Sequence, residues 1–178
     1  MKKGVKKKLL PVKNPENRWK KSMKNSKMSV LESDVMENKE IRVLLIEDDP
    51  DDALLLKEVL TEGGEAWSKF RLECHETLEG GLARLTKGGI DVILLDLSLP
   101  DSHGLDTFTK TFTRCPSVPI IVLTGLDDKT LGLEALWQGA QDYLVKGRAD
   151  NKMLLRVIRY AIERNRLQTE LRGQSIIE

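Results

Sequence analysis

Residues 41–50 read IRVLLIEDDP, a run of branched apolar side chains that stops abruptly in three acids and a proline. A run without polar alternation suits a strand buried on both faces of a parallel sheet. Asp49 followed by Pro50 suits the start of a helix, pairing a capping carboxylate with a residue preset for the first turn. The same alternation continues down the chain. Helix one carries Ala53, Leu54, Leu56, Val59 and Leu60 and ends at Gly63 and Gly64. Residues 70–74 alternate as strand two, a helix follows over Leu78–Leu85, and Gly88 with Gly89 breaks it. Strand three is 92–95, helix three 105–112, strand four 119–123, helix four 129–137 and strand five 143–145. A last helix starts near Asn151 with Asp150 as its cap. Five strands alternating with five helices predict an α/β fold in which helices cover a parallel sheet.

The 178 residues fit one domain with room for a tail, which excludes a large multidomain enzyme. A net charge of +1 hides an asymmetry. Residues 1–28 hold eleven basic and one acidic residue, whereas 29–178 hold eighteen basic and twenty-seven acidic. The expected division is therefore a basic, disordered extension over 1–40, a folded domain over 41–165 and a helical extension over 166–178. A solvated tail is the plain reading of the lysines, and attachment to nucleic acid or an anionic membrane by counterion release from phosphates is the alternative. Met28 and Met36 are alternative starts. No apolar run approaches a membrane span and no secretory core follows the basic stretch, so a cytoplasmic protein without a membrane span is expected. Cys74 and Cys115, far apart and without partners at metal spacing, read as reduced thiols.

In an open parallel sheet, ligands sit beyond the carboxyl ends of the strands. Glu47 and Asp48 follow strand one, Asp96 strand three, Thr124 strand four and Lys146 strand five, so all five fall on one rim. Two carboxylates 4 Å apart at an effective dielectric of about 20 repel by roughly 4 kcal/mol, which calls for a cation. Oxygen-only ligands favour a hard divalent ion, with Mg²⁺ expected and Mn²⁺ as its substitute. Beside such an ion, Asp96 can attack a phosphoryl group, with Lys146 and the Thr124 hydroxyl bonding its oxygens. Taken singly, Asp48 and Asp49 read as helix caps, Thr124 as a turn residue and Lys146 as a surface charge. Their coincidence at four strand ends favours a site.

VLLIEDDP at 43–50, DVILLDLSLPDSHG at 91–104, PIIVLTG at 119–125 and GAQDYLVKG at 139–147 together resemble the receiver domain of two-component response regulators, the CheY-like superfamily. The resemblance covers about 130 residues from Ile41 to the last helix. It implies a flavodoxin-like, doubly wound five-stranded sheet in the order 2-1-3-4-5. It also implies phosphorylation of Asp96 by a partner histidine kinase or histidine phosphotransfer protein, with Glu47, Asp48, Asp96 and the Ser98 backbone carbonyl as Mg²⁺ ligands. Thr124 and Tyr143 match the family's switch pair, whose movement remodels the face of helix four, strand five and helix five. That face is the implied contact with a downstream protein or a second copy. Lys146 matches the family's lysine, and Gly147 departs from the proline that many members carry next.

The function expected on these grounds is a stand-alone phosphoacceptor module rather than a turnover enzyme, a phosphorelay intermediate being one alternative. A haloacid-dehalogenase-like phosphatase fits less well, because its nucleophile follows strand one with a second Asp two places on. A nucleic-acid-associated regulator acting through the basic tail is the third reading. His103 reads as an incidental loop residue and His75 as lying away from the rim. Trp67 and Trp137 read as packing residues, and Trp19 has no context. The end of the last helix reads as a linker, a short coiled-coil contact or a frayed terminus, with Asn165 tolerable in a helical core.

Overall fold

The computed structural model describes residues 40–62, 70–125, 127–147 and 151–174. Among them, β1 (Ile41–Ile46), β2 (Phe70–His75), β3 (Val92–Asp96), β4 (Ile120–Thr124) and β5 (Asp142–Val145) form one sheet. Its order is β2-β1-β3-β4-β5 and each neighbouring pair is parallel. The helices are α1 (Pro50–Glu62), α2 (Leu78–Leu85), α3 (Leu105–Arg114), α4 (Lys129–Gln138) and α5 (Asn151–Gln174). This is the doubly wound arrangement expected from the sequence. The strands begin and end within a residue or two of the apolar runs. They extend to His75, Asp96 and Thr124 because those polar rim residues still pair in the ladder, as Ile46 with His75, Asp96 with Leu123 and Thr124 with Val145.

Side chains alternate across the sheet, so each strand feeds two cores. Leu44 and Ile46, Ile93 and Leu95, and Ile120 and Val122 pack with Leu78 and Leu85 of α2, Phe108 of α3 and Ala135 of α4. Val43 and Leu45, Val92 and Leu94, and Ile121 and Leu123 pack with Val59 and Leu60 of α1 and Leu154, Ile158 and Ala161 of α5. β3 is buried along its whole length, which is why its residues read as an unbroken apolar run. At about 25 cal/mol per Å² of apolar surface removed from water, these two layers dominate the stability of the fold.

The expected boundary between 165 and 166 falls inside α5, which continues without a break. What changes there is packing: Ala161 is its last fully buried residue, and 166–173 are exposed throughout. The Asn165 amide donates to the Ser117 carbonyl at 2.7 Å, tying this turn of α5 to the loop before β4. Trp137 corrects the packing expectation. It is 86% exposed on the last turn of α4, because that short helix buries only Gly132 and Ala135 and turns Trp137 away from the sheet. Leu54, on the outer side of α1, is likewise exposed. Cys74 and Cys115 are free thiols. Apart from Glu40, the basic extension lies outside the described residues, as do Gly63, Gly64, Trp19, Trp67 and the Asp150 cap. Among the described residues no helix is long and apolar enough to cross a membrane.

Candidate functional site

Because the five strands are parallel, their carboxyl ends share one edge, and the polar residues that close them meet there. Glu47 leaves β1 with its N–H donated to the His75 carbonyl at 2.9 Å, so the end of β2 fixes its backbone. His75 therefore touches the rim through its main chain, closer than expected. The Glu47 side chain turns inward and the residue is only 2% exposed. Asp96 closes β3 and is also buried, whereas Asp48 faces solvent. Carboxylate oxygens of Glu47, Asp48 and Asp96 lie within 4.8 Å of one another, and this group can hold a metal ion.

Lys146 supplies a cation from the opposite side. Its N–H donates to the Thr124 carbonyl at 2.8 Å, which ties the residue to the end of β4. Its Nζ lies 2.7 Å from Asp96 Oδ2, 2.6 Å from Glu47 Oε2 and 3.1 Å from Asp52 Oδ2. Burial by itself would lower the ammonium's pKa, but the bonds to Asp96, Glu47 and Asp52 outweigh it and hold it above the ordinary lysine value. Burial pushes the Glu47 carboxyl up to about 7, with the nearby Asp96 charge adding to the rise and Lys146 opposing it. Among the described residues, Glu47 Oε2 accepts no well-directed hydrogen bond, and Lys146 reaches it only as a close ion-pair contact. A buried oxygen in that condition, beside two more carboxylates, fits a hard divalent cation.

The remaining residues frame this centre. Asp49 stands at the start of α1, where its Oδ1 accepts the N–H groups of Asp51 at 2.9 Å and Asp52 at 3.3 Å, as a capping residue should. Ser98 donates its N–H to Asp96 Oδ1 at 3.0 Å. A two-residue antiparallel ladder, Ser98–Leu99 against Ser102–His103, shapes the loop and leaves His103 exposed outside the cluster. Thr124 is buried, its hydroxyl donating to the Leu144 carbonyl at 3.4 Å. Tyr143 is half-buried two residues before the end of β5. Gly147 has φ +73°, which proline, fixed near −65°, cannot adopt, so this turn after the lysine suits glycine.

Three contributors escape a reading of strand ends. Asp52 looks like any acid in a first helical turn, and only the fold brings it to Lys146. Gly132 of α4 lies so close to Tyr143 and Thr124 that a Cβ there would stand 2.7 Å from the Tyr143 ring and 3.3 Å from Thr124 Cγ2. Asp101, in the loop after β3, accepts the N–H groups of Leu78 at 2.8 Å and Glu79 at 2.9 Å, capping α2 alongside Thr77. Nothing local in the sequence signals a cap supplied from 23 residues away.

Known proteins place this geometry. The transcriptional regulatory protein CpxR of Klebsiella pneumoniae is 34% identical over 119 residues, covering 65% of this chain and 47% of that protein. The transcriptional regulatory protein KdpE of Mycobacterium tuberculosis is 33% identical over 136 residues, covering 76% of this chain and 57% of that protein. The chain thus spans about half the length of these relatives. A response regulator receiver domain protein from Clostridium thermocellum superposes with a TM-score of 0.63 at 25% identity, covering 72% of this chain and 98% of that one. The family model of the response regulator receiver domain matches residues 43–158. That match runs from within β1 to the first third of α5 and takes in every rim residue described above, and the chain belongs to the response regulator receiver family.

Proposed function

We propose that this domain accepts a phosphoryl group on Asp96 from a phosphohistidine of a partner kinase or phosphotransfer protein and acts as a switch rather than a turnover enzyme. One observation carries the reading. A buried carboxylate stands 2.7 Å from an ammonium and beside two further carboxylates able to share a divalent ion. In the transfer, an Asp96 oxygen forms a bond to phosphorus while the phosphorus–nitrogen bond breaks and the imidazole leaves with its electron pair. Lys146 supports the charge on the transferring oxygens, and Ser98 orients the carboxylate through its N–H. Glu47, Asp48, Asp96 and the Ser98 carbonyl would hold Mg²⁺, for which Mn²⁺ can substitute. When bound, the ion offsets the negative charge gathered on the phosphoryl oxygens.

The acquired phosphoryl group adds about −1.5 to −2 charges and new acceptor oxygens. Thr124, which spends its hydroxyl on a long bond to Leu144, can give it to a phosphoryl oxygen instead. Tyr143 then repacks against α4, changing the face of α4, β5 and α5. Leu133 and Trp137 on α4 and Tyr160 on α5 are exposed apolar side chains on these helices, suited to a downstream protein or a second copy. The relatives named above are transcriptional regulators, and gene control is the output carried over from them.

With Mg²⁺ and acetyl phosphate, the protein should gain one base-labile phosphoryl group, and Asp96→Asn should gain none. Equal labelling of that variant would overturn the assignment.

A further inference from the structure

Lys146 has three carboxylate partners, and two of them, Glu47 and Asp96, belong to the group of carboxylates that can hold a metal ion. The third, Asp52, belongs to α1 and lies outside the metal-holding group, yet its Oδ2 comes within 3.1 Å of the ammonium. At its end the ammonium is held by these three carboxylates.

We propose that Asp52 is a positioning residue that receives the Lys146 ammonium when a divalent cation enters, freeing Glu47 and Asp96 to act as ligands. This rests on the phosphoacceptor reading for its purpose, though not for its test. Without Asp52 the ammonium leans wholly on Glu47 and Asp96, and the cation must displace it without compensation. Metal affinity falls through Lys146 rather than through loss of a ligand.

A double-mutant cycle separates this from plain electrostatics. Mg²⁺ alone is titrated calorimetrically into the full chain, with circular dichroism verifying the fold of each variant. Asp52→Asn should weaken binding about fivefold, a coupling within the range found for contacting charges. Asp51→Asn, which removes the same charge from the same helical turn at an exposed position, should change binding by less than about twofold. Asp52→Glu should restore most of the affinity. In a Lys146→Met background, or Lys146→Gln if that folds better, the effect of Asp52→Asn should shrink to that of Asp51→Asn. An undiminished effect in both backgrounds, or equal effects of Asp51→Asn and Asp52→Asn, would overturn the proposal. Failure of the wild type to take up phosphate from acetyl phosphate would overturn the phosphoacceptor reading alone, because the Mg²⁺ cycle is measured without it.

Discussion

The two sides of the rim are built by different forces. On the α1 side, Glu47, Asp52 and Asp96 converge on one ammonium, and position there is governed by charge. On the α4 side, Thr124 and Tyr143 press against Gly132, and position is governed by fit. Ion pairs exchange one oxygen for another at modest cost, so the first side is suited to the cation and phosphoryl group of the proposed function. Close-packed surfaces do not deform gradually, so the second side converts a small displacement into a different arrangement. On the function proposed above, chemistry would fall to the first side and its readout to the second, adjacent regions with opposite mechanical character.

If that division holds, removing charge and crowding the packed side should fail in different ways. Lys146→Met should cut phosphoryl uptake from acetyl phosphate by about a hundredfold, the scale of losing a group that stabilises developing charge. A loss below about threefold would mean that charge does not rule the α1 side. Gly132→Val places side-chain atoms where the Tyr143 ring stands and should lower stability in urea unfolding by about 2 kcal/mol, as overpacking does. Uptake at Asp96 should stay within about twofold of wild type, because nothing on the charged side has moved. A collapse in uptake would merge the two regions into one.

Asp101→Ala should cost about 1 kcal/mol, the usual loss of a helix cap. Burial alone would raise the Asp101 carboxyl, but the N–H groups of Glu79 and Leu78 outweigh it and hold the carboxyl below its ordinary value of 3.8. A folded value below the unfolded one contributes stability that is present above the unfolded value and lost as pH falls through the folded one. The gap in stability between wild type and Asp101→Ala should therefore be constant near neutrality and narrow in acid below about pH 3.8. A gap unchanged down to pH 2 would remove the carboxylate from the cap. Trp137→Ala should be the smallest effect, within about 0.5 kcal/mol of wild type by the same unfolding measurement, since the ring has almost no neighbours to lose.

The strands were readable because burial on both faces writes itself as unbroken apolar runs, and the rim followed because each run ends in a residue that cannot be buried without a partner. Glu47, Asp96, Thr124 and Lys146 were all visible in this way. Asp52 was not, because its role depends on the distance between α1 and the end of β5, which no local pattern encodes. Gly132 was invisible for a related reason: its value is the absence of atoms opposite Tyr143. Trp137 misled because aromatics in helices are usually buried, and the apolar residues of α4 are spread around the helix rather than gathered on one face, so the pattern does not show which way its last turn faces.

The cap on α2 has a consequence of its own. The carboxylate that satisfies the first two amides of that helix rides on the loop five residues past Asp96, braced by the short ladder at Ser98 and His103. Any shift of that loop loosens or tightens the start of α2, a helix on the far flank of the sheet from β5. The loop that follows Asp96 is thus mechanically tied to α2 through a borrowed cap, a link that passes through no aromatic ring.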